Sequence, residues 1–322
     1  MKIVFHGQNA RMFRPGFEEL LAGRHEILEV SDAVDHPGER EAFATADVLI
    51  GVRFTADLPR PERLRLYHAP AAGTDAIDLS ALPADAALCN CFGHESAIAE
   101  YVMAALLARH VPLADADARL RRGDWRYWSG SPQGPRTELG GTVIGLLGFG
   151  HIGKTIAKRA RAFGMRVTVA NRSPVAASEL VDRSFTFDRL DEFMGSAGAI
   201  VVSLPLVPET TGIVDARLLS AMRPDAVIVN VGRGPVIDEE ALYAALKERR
   251  IAGGIIDTWY VYPNGSEPTT RPSRLPFHEL DNVVLTPHMS GWTSGTIRRR
   301  QETMAGNIDR LGSDQALVNR LR

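Results

Sequence analysis

The stretch that decides the fold is "TVIGLLGFGHIGKTIAKRARAFGM", residues 142–165. An apolar, β-branched run leads through a glycine-rich turn into a segment with the apolar spacing of a helix. Gly148, Gly150 and Gly153 match G-x-G-x-x-G: the first permits a tight turn, the second lets a pyrophosphate approach, and the third lets helix and strand pack closely. The helix N-terminus would then face the anion. Strand, turn and helix in this order predict a dinucleotide site, to which Phe149, His151 and Ile152 also belong.

Short β-branched runs alternate with amphipathic stretches along the whole chain, which predicts an α/β fold with parallel sheets. A helical pattern over residues 95–122 is broken at Pro112, and residues 123–141, rich in Gly, Pro and aromatics, predict a surface arm. A last helical stretch follows residue 293. The predicted strands are "KIVF", "HEILEV", "DVLIGV", "LRLYHA" and "ALCN", then "TVIGLLG", "RVTVA", "AIVVSL", "AVIVNV", "GGIID" and "NVVLT".

The length, charge and cysteine content argue against several classes of protein. The 322 residues suffice for two domains, and a net charge of -2 gives no electrostatic reason to expect nucleic acid or an anionic membrane as partner. No apolar run is long enough to span a bilayer, and "MKIVFHG" lacks the apolar core of a signal peptide. Cys89 and Cys91 lie two apart without a second Cys/His cluster, so we expect reduced thiols, no metal and a cytoplasmic protein. Arg298–Arg300 is interpreted as a solvated helix face.

The end of the second strand of the dinucleotide unit bears on the choice of cofactor. An Asp or Glu there accepts hydrogen bonds from the ribose of NAD, whereas this chain has Asn171, Arg172 and Ser173. Arg172 would pair with a 2′-phosphate, and its two neighbours could donate hydrogen bonds to it. We therefore expect NADP to be preferred, with NAD possible. The alternative is that Arg172 is an ordinary surface arginine and that the protein does not discriminate.

Several motifs occur in an order that is more specific than any one of them. The chain resembles the D-isomer-specific 2-hydroxyacid dehydrogenase family over nearly its whole length. The resemblance begins with "APAAGTDAIDL" and "AIAEYVMAALLAR", continues through the dinucleotide turn and "SLPLVPETTGIV", and ends with "NVGRGPVIDEEAL" and "LTPHMSGWT".

The resemblance implies two Rossmann-like domains with a cleft between them. The dinucleotide-binding domain, residues 95–285, would be inserted into a substrate domain made of residues 1–94 and 286–322. It also implies a homodimer, formed through the helix at residues 95–122 and an arm that carries Trp125, Tyr127 and Trp128.

Roles for individual residues follow from the same resemblance. Arg233 would hold the substrate carboxylate and polarise its carbonyl, a task that suits a planar, permanently charged side chain. His288 would donate the proton in reduction and accept it in oxidation. Asp257 would hold the nicotinamide carboxamide. Backbone amides near Ala72 and Gly73 would complete the carboxylate site. Leu204, Pro205, Thr210, Val231, Gly232 and Gly291 would line the cofactor.

His94, followed by Glu95, has two interpretations. In the first, His94 contacts the substrate, because the substrate loop of the family lies near this point. In the second, the two residues only begin a helix.

The chain departs from the family at one catalytic position. Most members have a Glu, just before a Pro, that pairs with the catalytic histidine; here Tyr262 precedes Pro263. A tyrosine hydroxyl can hydrogen-bond an imidazole but carries no charge near neutral pH. Glu95 and Glu267 are the acids that could replace the missing Glu.

Three functions remain open from the sequence. The first is an NADP-preferring reductase of a small 2-oxo acid such as glyoxylate or hydroxypyruvate. The second is a dehydrogenase of formate or another unusual substrate, because the formate dehydrogenase branch also lacks the Glu. The third is a dinucleotide-sensing interaction protein on the same fold.

Overall fold

The computed structural model describes residues 1–263 and 269–322. The chain forms two compact units: Met1–Gly93 with Thr293–Arg322 make the first, and His94–Trp292 make the second. The second unit is therefore inserted into the first. Which unit holds substrate and which holds dinucleotide remains a prediction.

Strands form where the β-branched runs predict them, with one addition. Arg183–Phe185 was not predicted, because a three-residue strand containing Arg and Ser has no recognisable pattern. In chain order the strands are β1 Lys2–His6, β2 Glu26–Val30, β3 Val48–Ile50, β4 Leu66–His68, β5 Ala87–Cys89, β6 Val143–Leu147, β7 Arg166–Ala170, β8 Arg183–Phe185, β9 Ala199–Val202, β10 Val227–Asn230, β11 Gly253–Ile256 and β12 Val283–Leu285.

The helices lie between the strands, as expected of an α/β chain. They are α1 Gly7–Arg11, α2 Glu39–Ala44, α3 Glu95–His110, α4 Leu113–Leu120, α5 His151–Ala162, α6 Leu190–Gly195, α7 Ala216–Ser220, α8 Glu239–Lys247 and α9 Ser294–Gly312. Short 3₁₀ turns occur at Glu18–Leu20, Phe187–Arg189, Pro208–Thr210, Gly234–Val236 and Phe277–Glu279.

The first unit is built on a five-stranded sheet in the order β2-β1-β3-β4-β5, with every pairing parallel. Apolar side chains cover both faces, because a parallel sheet with helices on each side is buried on each side. Met304 and Ile308 of α9 pack on the face that includes Phe5. The last helix of the chain thus completes the unit that the first strand begins.

The second unit is built on a seven-stranded parallel sheet in the order β12-β11-β10-β9-β6-β7-β8. The chain runs outward from β6 through β7 on one side, then crosses back to β9 on the other. The strand order therefore reverses between β6 and β9, where α/β proteins bind ligands at the carboxyl ends of their strands. The fold confirms the prediction of two Rossmann-like units with parallel sheets.

The predicted long helix is two helices, and they differ in burial. α3 buries Ile98, Val102 and Leu106 in the core of the second unit, whereas α4 has no buried residue. In the described part of the chain, no single helix has the length and apolar character to cross a membrane, although α3 and α4, bent by 46°, pass on length and composition as a pair. Trp125 and Trp128, in the arm that follows, are 65% and 58% exposed.

One expectation about surface charge was wrong. Arg300 does not lie on a solvated helix face, since its side chain is buried and donates hydrogen bonds to the carbonyls of Phe92 and Pro70. Its backbone carbonyl lies 3.7 Å from the thiol of Cys91, which is a buried free cysteine like Cys89. A run of charged residues does not reveal which of its arginines will donate hydrogen bonds to buried carbonyls.

A buried histidine joins β4 to α9 in the first unit. His68 is fully buried, with Nδ1 3.3 Å from the carbonyl of Ala69 and Nε2 2.9 Å from the amide nitrogen of Asn307. Asn307 also exchanges two hydrogen bonds with the backbone of Val318, near the chain end. Nε2 must accept from the Asn307 amide, so this arrangement requires a neutral ring.

Burial lowers the pKa of His68 to about 4. The unfolded chain, with a pKa of about 6.5, then binds the proton more readily than the folded one, so the stability contributed by neutral His68 is complete above pH 6.5 and is lost as the pH falls towards 4. We expect His68 to account for about 2–3 kcal/mol of destabilisation between pH 7 and pH 4.5. Urea unfolding of the wild type and of His68→Gln at the two pH values measures it. His36→Gln, at an exposed site, is the control and should keep the wild-type pH dependence, and the same dependence in His68→Gln would refute the assignment.

Candidate active site

The glycine-rich turn joins β6 to α5 with the geometry that a dinucleotide requires. Gly148 has a φ of +100°, which residues with a side chain rarely adopt, and a Cβ on Gly153 would lie 2.3 Å from the carbonyl oxygen of Gly148. A Cβ on Gly150, by contrast, would meet no atom within 4 Å. The turn is closed towards the protein and open at Gly150, beside the start of α5. These residues fit the pyrophosphate of NAD or NADP.

The residues expected at the adenosine end directly follow β7. Asn171 donates a hydrogen bond to the carbonyl of Ser173, 3.2 Å away, and so shapes the turn. The side chains of Arg172 and Ser173 are exposed. Within residues 1–263 and 269–322, no carboxylate pairs with Arg172, so its guanidinium is available to an anion.

The loop after β9 lies against the glycine-rich turn. A Cβ on Gly148 would lie 3.1 Å from the side chain of Leu204, and a Cβ on Gly232, after β10, would lie 2.6 Å from the Leu204 carbonyl oxygen. The buried hydroxyl of Thr210 lies 2.6 Å from the carbonyl of Pro205 and fixes the path of this loop. Three successive loops at the carboxyl edge of the sheet thus pack backbone against backbone.

Arg233 extends from a turn that Asn230 organises. The buried amide of Asn230 accepts from the N–H of Gly232 and donates to the carbonyl of Arg233, both at 3.1 Å. Val231 and Gly232 are buried, whereas Arg233 is half-buried and its Nη1 lies 3.0 Å from the Gly232 carbonyl. The backbone of the turn is therefore fixed, and the Arg233 side chain that it carries is half-buried.

Trp259 links this turn to the two loops that follow β11 and β12. A Cβ on Gly234 would lie 2.2 Å from the carbonyl oxygen of Trp259, so only glycine permits this contact. The backbone N–H of Trp259 donates to the hydroxyl of Tyr262 at 3.1 Å, and its indole N–H donates to the carbonyl of Thr286 at 2.8 Å. One buried residue thereby holds the turn of Arg233, the loop of Tyr262 and the loop of His288 together.

The structure brings Tyr262 and His288 together. The Tyr262 hydroxyl lies 2.9 Å from Nδ1 of His288, a hydrogen-bond distance, and both side chains are exposed. His288 has a φ of +57°, an uncommon backbone conformation for a residue with a side chain. Tyr262 is therefore placed to hydrogen-bond His288, while Glu267, named as an acid that could replace the missing Glu, lies outside the described residues.

Asp257 is fully buried and accepts hydrogen bonds from the loop that carries His288. Its Oδ1 accepts from the hydroxyl of Thr286 at 2.6 Å and from the N–H of Met289 at 2.9 Å, and its Oδ2 accepts from the N–H of Ser290 at 2.9 Å. The carboxylate is thus largely engaged within the protein. Its contact with nicotinamide stays a prediction.

His94 and Glu95 begin α3, and His94 is the residue that precedes its first turn. The His94 Nδ1 lies 3.8 Å from a carboxylate oxygen of Glu95, and both side chains are largely buried. A Cβ on Gly291 would lie 3.4 Å from the Cβ of His94, so the helix start packs beside the loop of His288. This position is compatible with a substrate contact of His94 and does not test it.

Ala72 and Gly73 lie in the first unit, in the loop after β4. The buried side chain of Asn90 donates to the carbonyl of Ala72 at 2.8 Å, and the N–H of Cys91 donates to the carbonyl of Ala71. In the described part of the chain, the N–H groups of Ala72 and Gly73 donate to no protein acceptor. The loop is held through its carbonyls, and a role of these two amides in binding a carboxylate stays a prediction.

Several residues that organise the site were missed in the sequence. Asn230, Trp259 and Thr286 each lie within two residues of a predicted site residue, and that adjacency was the only available signal. Tyr101 is further away in sequence, and only its contact with Thr286, at 2.7 Å, reveals its relation to the site.

Comparison with known proteins agrees with this geometry. Residues 103–290, more than half of the chain, match the family described as D-isomer specific 2-hydroxyacid dehydrogenase, NAD binding domain. A glyoxylate reductase of Thermococcus gammatolerans is 36% identical over 219 residues, which are 66% of this chain and 62% of that protein. The chain thus spans less than two thirds of the length of this relative.

Two solved structures resemble the whole chain. A D-isomer specific 2-hydroxyacid dehydrogenase from Xanthobacter autotrophicus Py2, in complex with NADPH and MES, is 26% identical with a TM-score of 0.79, covering 99% of this chain and 97% of that one. An acyclic imino acid reductase in complex with NADPH and D-Arg is 27% identical with a TM-score of 0.79, covering both chains fully. Fold, motifs and matched family model agree, and the chain belongs to the D-isomer specific 2-hydroxyacid dehydrogenase family.

Proposed function

We propose that the protein is an NADP-preferring reductase of a small 2-oxo acid such as glyoxylate or hydroxypyruvate. The observation that carries the proposal is the hydrogen bond between Tyr262 and Nδ1 of His288, held by Trp259 beside the turn of Arg233. With Nδ1 at hydrogen-bond distance from the Tyr262 hydroxyl, Nε2 would be the nitrogen that exchanges a proton with substrate. The name of the glyoxylate reductase relative and the NADPH in two similar structures support the choice of substrate and cofactor.

The second unit would hold the cofactor at the carboxyl edge of its sheet. The turn from Gly148 to Gly153 would bind the pyrophosphate, and Asn171, Arg172 and Ser173 would bind the 2′-phosphate. Bound NADPH supplies the hydride. Asp257, the loop of Thr210, and Val231, Gly232 and Gly291 would lie along the nicotinamide half.

Arg233 and His288 would act on the substrate. The guanidinium of Arg233 would pair with the carboxylate and attract electron density on the carbonyl oxygen. Protonated His288 would give the proton on Nε2 to that oxygen and become neutral, with its remaining proton on Nδ1. The Tyr262 oxygen, which already accepts from the N–H of Trp259, can accept from Nδ1–H as well, since a hydroxyl has two lone pairs.

The remaining assignments are part of the same proposal. The amides of Ala72 and Gly73 would bind the substrate carboxylate, and His94 would contact the substrate. A homodimer through α3, α4 and the arm is supported by the exposed Trp125 and Trp128, because large exposed apolar patches mark interaction surfaces. A cytoplasmic location stays a prediction.

The cofactor preference can be tested at Arg172. We expect a lower KM for NADPH than for NADH, and Arg172→Ala should weaken NADPH by about 1.5–3 kcal/mol, because a charge-assisted hydrogen bond to the phosphate is lost. NADH should be affected little. Arg183→Ala, at an exposed arginine of β8, is the control. Equal losses for the two cofactors would show that Arg172 does not contact the 2′-phosphate.

Arg233 can be tested by a change that keeps the charge. Arg233→Lys should raise KM for glyoxylate and lower kcat together, because lysine cannot pair bidentately with the carboxylate or polarise the carbonyl from the same position. Steady-state kinetics with saturating NADPH measures both constants. Kinetics close to wild type would remove Arg233 from the site.

His288 and Tyr262 provide the third test. His288→Ala should lower kcat by about 10²–10⁴-fold and leave the affinity for NADPH nearly unchanged. Tyr262→Glu should shift the loss of reductase activity at rising pH to higher pH, because a carboxylate favours the protonated ring that reduction requires. The kcat–pH profile measures this shift, with Glu267→Gln as a parallel variant. Full activity of His288→Ala would show that the histidine is structural, and a profile that only Glu267→Gln moves would identify Glu267 as the partner.

A second candidate reaction is suggested by the imino acid reductase at 27% identity. Reduction of a C=N bond would use the same carboxylate anchor and the same proton donor. Turnover of 2-oxo acids by NADPH, measured with and without an added amine, distinguishes the two reactions. Formate with NADP⁺ tests the formate alternative, and tight NADPH binding without turnover of any compound would favour a sensing protein.

A further inference from the structure

The loop that carries His288 adopts a conformation that needs external support. His288 has a φ of +57°, in the left-handed region, and its N–H donates to the carbonyl of Thr286, two residues earlier, at 3.0 Å. Backbone conformations of this kind are unfavourable by themselves and persist where the surroundings determine them. This backbone conformation sets the direction in which the His288 side chain leaves the loop.

The support comes from Asp257, which holds the two amides directly after His288. The N–H groups of Met289 and Ser290 each donate to a different oxygen of its carboxylate at 2.9 Å. Two parallel hydrogen bonds to one buried acceptor fix the orientation of that backbone segment. These two hydrogen bonds therefore oppose a change of the backbone conformation at His288.

Two hydroxyl groups fix the carboxylate in turn. Thr286 Oγ1 lies 2.6 Å from Oδ1 of Asp257 and 2.7 Å from the hydroxyl of Tyr101 on α3. The Asp257 carboxylate accepts two N–H groups and acts as an acceptor only. Thr286 must therefore donate its hydroxyl proton to Asp257. Tyr101 must then donate its own hydroxyl proton to Thr286. Burial raises the pKa of Tyr101, and the charge of Asp257 acts in the same direction, so Tyr101 keeps the proton that this order requires.

We infer that Tyr101, Thr286 and Asp257 form a positioning network that sets the direction of the His288 imidazole. The inference rests on the proposed function for the role of His288, and it adds residues that act through His288. Tyr101 and Thr286 are positioning residues, and nothing in their role requires contact with substrate. The network also connects α3 to the loop after β12, so a substitution at Tyr101 in α3 should alter the position of the His288 imidazole.

Thr286→Val tests the inference, because valine keeps the shape of threonine and removes the hydroxyl. Hydrogen–deuterium exchange of a peptide covering residues 286–292 should be at least tenfold faster for the amides of Met289 and Ser290. For glyoxylate reduction, kcat should fall at least fivefold, while the dissociation constant of NADPH, measured by fluorescence titration, stays within twofold. Thr286→Ser, which keeps the hydroxyl, should restore all three values, and Tyr101→Phe should show the same changes in weaker form.

Two controls separate positioning from general damage. Thr168→Val removes the hydroxyl of another buried threonine, in β7, and should leave exchange and kcat unchanged. In the His288→Ala background, Thr286→Val should lower kcat no further, since a residue that acts through His288 has no effect once it is gone.

Unchanged exchange in Thr286→Val, or an equal loss of kcat with and without His288, would overturn the inference. Absence of reductase activity in the wild type would instead refute the proposed function, and the exchange measurement would still decide whether the network holds the loop.

Discussion

Trp259 makes the contacts on which the rest of the candidate site depends. Its carbonyl lies against Gly234, its backbone N–H donates to Tyr262, and its indole N–H donates to the carbonyl of Thr286. The ring is 4% exposed and packs edge-on against Phe277 in the core. One side chain that is packed in the core therefore fixes the turn of Arg233 and the loop of His288 at the exposed edge of the sheet.

The architecture by itself brings these groups to one edge of the second sheet. The strands of the second unit are all parallel, so the loops after β6, β9, β10, β11 and β12 leave the sheet at the same edge. Glycines at 148, 232 and 234 then permit neighbouring loops to approach to a distance that a Cβ would prevent. Close packing of backbones leaves little freedom, which suits the proposed binding of a cofactor and a small acid in fixed orientation.

Most strands and several residues of the candidate site could be predicted from the sequence, because they depend on local sequence patterns. Apolar runs between helical segments identified the strands of both sheets except β8, and the glycine-rich turn identified the first strand of the second sheet and the helix that follows it. Arg172 and Tyr262 could be singled out because Asn171, directly before Arg172, and Tyr262 each stand where a carboxylate is expected at a defined spacing. Tyr262 stands where the family has the Glu that pairs with the histidine, and its hydroxyl does lie at hydrogen-bond distance from His288, 26 positions away in the chain.

Other features could not be predicted, because they depend on contacts between distant segments. The left-handed conformation of His288 requires the carboxylate of Asp257, 31 positions away in the chain, and the order of donors requires Tyr101, on another helix. Arg300 was misjudged because the carbonyls of Pro70 and Phe92 that it satisfies come from the opposite end of the chain. A three-residue edge strand such as β8 is determined by its neighbour β7 and by nothing in its own composition.

The central claim is that His288 is a proton carrier whose Nδ1 is bonded to a neutral hydroxyl. The ¹⁵N chemical shifts of its imidazole, followed by NMR through a pH titration of the protein labelled at histidine, test this most directly. We expect a ring that titrates at Nε2, with Nδ1 protonated and donating to the Tyr262 oxygen in both the charged and the neutral form. A neutral ring that carries its proton on Nε2 and accepts the Tyr262 proton at Nδ1, or a ring that does not titrate at all, would contradict this role of His288.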